Sequence, residues 1–159
     1  MFANKSSLLA VAALGLALGA PAMAAEGHDH DHEHAAGSVQ LRLDHGKKWE
    51  LDAVAHRGMG EIRDAMAQAL PAIHKKTFTP AQYEALAARI QTQVTDMIAN
   101  CKLPEATDAQ FHLVIGPIAA GASEMKTPAS AEQGAVKVVR ALADYGKYFH
   151  HAGWRALKH

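Results

Sequence analysis

Four histidines near the start of the chain have the residue type and the spacing of a metal-binding segment. They alternate with acidic residues between Glu26 and Gly37, a stretch that has almost no large apolar side chain. Neutral imidazole binds Zn, Cu and Ni, and neighbouring carboxylates attract cations. The histidines are His28, His30, His32 and His34. The composition predicts a disordered tail over residues 25–37 that binds metal, or a solvating spacer that binds it only incidentally.

The lone cysteine, Cys101, is the second candidate for chemistry. It follows apolar residues at the three-and-four spacing of one helix face, so we expect it to point inward near the end of that helix. These residues are Ile90, Val94, Met97 and Ile98. In an exported protein, a single cysteine is a buried small hydrophobe, a metal ligand, a redox thiol or an intermolecular link.

Apolar residues at helical spacing predict four helices that position these side chains. The predicted helices run from Trp49 or Leu51 to Ile73, from Pro80 to Cys101, from Asp108 to Met125, and from Pro128 or Ser130 to His150. Short connections between four amphipathic helices predict an all-α fold, an antiparallel up-down four-helix bundle over residues 38–159. Val39, Leu41 and Leu43 alternate with polar residues, which predicts a short extended arm before the first helix.

Local signals set the expected helix ends. Pro71 is expected to end the first helix, because proline interrupts a helix interior. Residues 79–82 and 107–110 each have the pattern of a capping box, which predicts the starts of the second and third helices. Gly116 and Gly121 predict close helix packing along the third helix.

The bundle topology brings most of the remaining candidate ligands to one end of the domain. This pole combines the start of the first and third helices with the end of the second and fourth. It carries Asp52, His56, Met59, Met97, Cys101, His112, His150 and His151. Thiolate, thioether and imidazole together favour Cu(I), with Zn as a competitor and Cu(II) suited to the imidazoles.

Each residue of this pole also has a purely structural interpretation. Met59 and Met97 lie on apolar stripes and suit the core. His150 and His151 interact favourably with the dipole at the end of a helix. His112 is able to cap or to bond a neighbouring carboxylate, and Asp52 and His56 are spaced to pair with each other.

The first 24 residues predict export. Lys5, an apolar run and a small-residue site ending at Ala24 form a signal-peptide pattern, so the mature chain is expected in the periplasm without a membrane span. The chain has 16 Lys and Arg against 16 Asp and Glu, a formal net charge of +0. The absence of a strong basic field argues against nucleic acid as a partner.

Several short motifs resemble a known group of proteins. They are GKKW at Gly46–Trp49, RGM at Arg57–Met59, NCKLP at Asn100–Pro104, DAQFHLVI at Asp108–Ile115 and HHAGW at His150–Trp154. Together they resemble the small exported proteobacterial proteins labelled DnrO-like, from about Val39 to Trp154. The resemblance implies export, a helical domain and a His-rich tail, and it implies no particular activity.

These features predict a periplasmic protein that buffers or delivers copper or zinc through the tail and the pole. Two alternatives stay open. One is an electron carrier with noncovalent b-type haem between Met59 and His112 or His151, and the other is a metal-inert module that binds a periplasmic protein partner. We do not expect an enzyme, because the sequence lacks an HExxH motif and a Ser-His-Asp pattern.

Overall fold

The described part of the chain, residues 40–158, is helical in a computed structural model. Its helices are α1 (Ala53–His74), α2 (Pro80–Asn100), α3 (Glu105–Met125) and α4 (Ala131–Tyr148). Within residues 40–158 no strand forms, and two isolated β-bridges join Asp44 to Lys47 and Trp49 to Phe149. The all-α prediction and the number of helices are confirmed. The predicted signal peptide (1–24) and His-rich tail (25–37) lie outside the described residues.

One apolar core runs between the helices. α1 packs on α2, α2 on α3 and α3 on α4, with a smaller contact between α1 and α4. The largest fully buried side chains include Tyr145, Phe111 and Phe149, together with Met59 and Met97. None of the helices described here is both long and apolar enough to cross a membrane.

The start of α2 follows the sequence prediction. Thr79 is the N-cap, and its hydroxyl accepts a hydrogen bond from the backbone N–H of Gln82 over 3.3 Å. The Gln82 side chain in turn accepts from the Thr79 backbone N–H over 2.8 Å. This capping box satisfies backbone donors that the first turn of a helix leaves free.

The structure corrects the predicted start of α1 and the expected effect of Pro71, while the helix ends one residue after the predicted Ile73. The helix begins after Asp52, whose carboxylate accepts from the Ala55 backbone N–H over 2.8 Å. It continues through Pro71 to His74 instead of ending at the proline. Pro71 lies on the exposed side, and Ile73 after it is buried in the core. Burial of that side chain stabilises the last turn against the helical hydrogen bond that proline removes.

The capping box predicted for α3 is also wrong. α3 starts at Glu105 after Pro104, so Thr107 and Gln110 lie inside the helix and are buried. The Gln110 side-chain oxygen accepts from the Arg42 backbone N–H over 2.8 Å. The arm that precedes α1 therefore uses the group that the capping box would have needed.

Ile98 gives a further correction, whereas the start of α4 agrees with the prediction. Ile98 was predicted on the inward face of α2, yet it is 64% exposed, because the buried stripe follows Val94 and Met97. Ser130 is the N-cap of α4, but its side chain makes no capping bond and donates to the Glu124 carbonyl over 3.0 Å.

α3 and α4 approach each other closely at two glycines. A Cβ on Gly121 would lie 2.6 Å from the Gly134 carbonyl oxygen, and a Cβ on Gly134 would collide with the Gly121 carbonyl oxygen. The predicted close packing at Gly121 is present, whereas Gly116 has open space around it. The glycine pair lets the two backbones meet where any side chain would hold them apart.

Candidate metal site

Three histidines lie close to one another where the start of α1 meets the segment that follows α4. His56 lies in the first turn of α1, and His150 and His151 follow the end of α4. Trp49, just before α1, donates its backbone N–H to the Tyr148 carbonyl and accepts from the His150 N–H, both over 2.9 Å. These bonds fix the segment after α4 against the start of α1.

His56 and His151 form a close pair of imidazoles. Their ring centroids are 4.8 Å apart, and the ring planes are tilted by 44°. With metal–nitrogen bonds of about 2.0–2.1 Å, two imidazoles on one tetrahedral ion have centroids roughly 5 Å apart. The observed separation allows both rings to bind one ion, and it is also the separation of an ordinary contact between two rings.

The hydrogen bond of His56 fixes which of its nitrogens is free. Its Nε2 lies 2.9 Å from the His150 carbonyl oxygen. A carbonyl oxygen only accepts, so Nε2 carries the proton and donates. The lone pair of the neutral ring is then on Nδ1, which is the form that binds a metal.

His151 is oriented by a buried phenol. Its Nδ1 lies 2.8 Å from the hydroxyl oxygen of Tyr145. Tyr145 is fully buried, and this burial raises the pKa of its phenol, which stays protonated. Burial, followed by the nearby His56 and His150, lowers the pKa of His151, so its imidazole is neutral near neutral pH. In the tautomer with the proton on Nδ1, that nitrogen donates to the Tyr145 oxygen, and the lone pair on Nε2 of His151 is available to a ligand.

The described residues add no third metal ligand to this pair. His150 is exposed, and its Nδ1 lies 3.0 Å from the Glu50 carboxylate. Among residues 40–158, no three or more His, Cys, Asp or Glu side chains are grouped so that they hold a metal ion. The pair therefore offers two ligands, and a bound ion would take its other ligands from water or another molecule.

Cys101 lies beside Asp52 and apart from the histidine pair. It is the C-cap of α2 and half-buried, and its thiol hydrogen-bonds to Asp52. Burial, then the charge of Asp52, raises the pKa of Cys101 to about 12. Burial by itself favours the neutral acid of Asp52, yet bonds from Ala55, Lys102 and Cys101 lower its pKa. The protonated thiol thus serves as a donor to a carboxylate.

The raised pKa of Cys101 predicts an unreactive thiol. At about pH 8, iodoacetamide should alkylate Cys101 in the native protein at least about tenfold more slowly than in urea, because only the thiolate attacks. Mass spectrometry of quenched samples measures both rates. Asp52→Asn removes the negative charge that disfavours the Cys101 thiolate, so it should speed alkylation of the native protein. Equal native and unfolded rates would contradict the assignment.

Met59, Met97 and His112 have structural roles: the methionines pack in the core, and His112 is hydrogen-bonded within α3. Met59 and Met97 are fully buried, and a Cβ on Gly58 would lie 2.6 Å from the Met97 sulfur. His112 is exposed, and its Nδ1 lies 2.9 Å from the Asp108 carbonyl oxygen, one turn earlier in α3. Met97 therefore fills core space, and His112 is bound within its own helix.

The sequence analysis missed the residues that orient the imidazole pair. Tyr145 lies on the buried face of α4, where an apolar position is expected whatever the function, and the His150 carbonyl carries no sequence signal. The six-residue separation of Tyr145 and His151 crosses the end of α4, where helical periodicity stops applying. No protein-family model matches this sequence, and no curated protein or solved structure is significantly similar to it.

Proposed function

We propose that this chain is an exported metal-binding protein that buffers or delivers copper or zinc in the periplasm. The observation that carries the proposal is the His56–His151 pair, in which each ring has one nitrogen hydrogen-bonded and the other free. Histidines that bind metals usually have such an outer partner, which fixes the ring and its tautomer. Imidazole ligands suit Zn and Cu(II), so these ions are the preferred cargo.

The small number of ligands supports exchange of the ion over a structural role. Structural zinc sites are closed by four protein ligands, whereas a pair leaves coordination positions open. An ion held by His56 and His151 can therefore pass to a competing ligand by associative exchange. The four tail histidines, known from sequence alone, add a separate set of ligands for capture. Open positions alone do not make a catalyst, and we propose binding without catalysis.

The helix arrangement that we propose is the antiparallel up-down bundle. At one end, the Lys102 backbone N–H after α2 donates to Asp52 at the start of α1 over 2.7 Å. At the other, Lys76 after α1 forms an ion pair with Glu132 at the start of α4. Both contacts join the end of one helix to the start of another, as antiparallel neighbours require.

Export and periplasmic location are proposed from residues 1–24 and from the resemblance to DnrO-like proteins. The haem alternative has less support than metal binding. Met59 is fully buried in the core, and His112 is exposed and bound to its own helix. A haem between Met59 and either His112 or His151 would require Met59 to leave the core.

Zinc titration of a chain without tail histidines tests the proposal. The chain from residue 25 onward, with all four tail histidines replaced by alanine, should bind one Zn²⁺ in calorimetry. Adding His56→Ala or His151→Ala should weaken binding by at least about tenfold, or ~1.4 kcal/mol, because each removes one of two protein ligands. Nitrogen-15 NMR of the imidazoles should show Nδ1 of His56 and Nε2 of His151 shifting with zinc.

Two matched variants separate this pair from the other candidates. Cys101→Ser and His112→Ala should leave zinc affinity unchanged, since neither side chain belongs to the pair. If the tail-substituted chain binds no zinc, or if removing both His56 and His151 leaves its affinity intact, the domain has no such site.

A further inference from the structure

The segment that follows Trp154 lies along α1, next to the seam between α1 and α4. Arg63 of α1 donates its Nε–H to the Arg155 carbonyl over 2.7 Å. Leu157 is partly buried and packs against the core. An apolar side chain of this protein therefore packs beside α1, in a groove that adjoins the seam.

Beyond this segment the seam continues as an apolar cavity. Its volume is about 300 Å³, at the lower limit for small-molecule pockets. The apolar lining consists of Leu70, Ile73, Ala135, Val136 and Val139. Leu70 also lines the groove under residues 155–158, so the two spaces adjoin. Val136 is 44% exposed and stands among the few large apolar side chains of residues 40–158 that face solvent.

The charged rim of the cavity selects the kind of ligand. Its titratable side chains are His74, Glu132 and Arg140. Glu132 is paired with Lys76, and Lys137 on the next turn is paired with Glu124. Among the described residues, none forms a hydrogen bond or ion pair with the Arg140 guanidinium. This leaves a planar, permanently charged donor beside an apolar cavity, and its geometry matches a carboxylate.

We propose that this cavity binds a small amphiphile with a saturated hydrocarbon chain and a carboxylate head. The chain would lie between α1 and α4, on Leu70, Ile73 and Val139, and the carboxylate would bind Arg140. This site is separate from the His56–His151 pair and does not depend on metal binding. Leu157 in the adjoining groove shows that an apolar side chain of the same protein packs next to this cavity.

Titration with three ten-carbon probes tests the site. Decanoate, decanol and decyltrimethylammonium share the chain and differ in the head group. Below the micelle concentrations of the two ionic probes and the solubility limit of decanol, calorimetry should show decanoate binding most tightly, decanol more weakly and the cation least. Methyl NMR should place decanoate-induced shifts on Leu70, Ile73 and Val139.

Variants separate the head-group contact from the cavity. Arg140→Gln should weaken decanoate binding by about tenfold and leave decanol binding unchanged, because only decanoate has a carboxylate for the guanidinium to bind. Arg89→Gln, an exposed arginine on α2, is the matched control and should have no effect. Val136→Trp, at an exposed position, should block both ligands by filling the mouth. The proposal is overturned if decanoate does not bind, if Arg140→Gln does not weaken it, or if the cation binds equally well.

Discussion

Gly134→Ala is expected to lower the free energy of unfolding by about 3 kcal/mol, at the upper end of overpacking penalties. An added methyl group would meet the Gly121 carbonyl, the Glu124 side chain and the Met125 backbone on α3. The first and last of these are backbone atoms, which no rotamer change can move. α3 and α4 would have to separate along the most extensive helix contact of the domain.

Urea denaturation followed by circular dichroism measures this effect. Gly116→Ala is the matched control, because Gly116 also lies inside a helix but has nothing within 4 Å of the added Cβ. It should stabilise the protein by about 0.4–1 kcal/mol, since alanine restricts the unfolded chain and favours the helix. Similar effects of the two substitutions would show that the close approach is absent.

Tyr145→Ala is expected to destabilise the domain by about 4 kcal/mol, in the range for removing a large buried aromatic side chain. The Tyr145 ring is fully buried and stacks on Phe149 at 5.5 Å with an interplanar angle of 11°. It also packs against Phe111 at 6.5 Å and Trp154 at 4.5 Å between centroids. Its loss leaves a cavity where α3, α4 and the segment after α4 meet.

Tyr145→Phe separates packing from hydrogen bonding at the same position. It keeps the ring and removes only the hydroxyl that contacts His151, so the expected cost is about 1 kcal/mol. Equilibrium unfolding in urea measures both variants under identical conditions. A loss from Tyr145→Phe as large as that from Tyr145→Ala would assign the main role to the hydroxyl instead of the ring.

The parts of the fold that depend on nearby residues were predictable from sequence. The capping box of α2 is formed within four residues, and its pattern was sufficient. The similar pattern at Thr107–Gln110 failed because Gln110 binds Arg42, 68 residues away. Ile98 failed for a related reason: the spacing places it beside the stripe of Val94 and Met97, and only the packed neighbours decide which residues are covered.

In the candidate site, too, local patterns were predictable from sequence and contacts between distant residues were not. Sequence and topology placed His56, His151 and Cys101 near one end of the domain, but they did not assign partners. The structure pairs His56 with His151 and Cys101 with Asp52. Those pairings depend on side-chain directions and on the Trp49–His150 backbone contact, which periodicity does not encode.

His56 belongs to the first helix of the domain, and His151 follows the last one. An ion bound by both would act as a reversible cross-link that closes a loop of almost the whole domain. Closing a long loop restricts the unfolded chain more than closing a short one. Binding of the ion would thus stabilise the contact between the start of α1 and the segment after α4, and release would weaken that contact. Local unfolding of either segment would in turn lower the affinity of the pair for the ion.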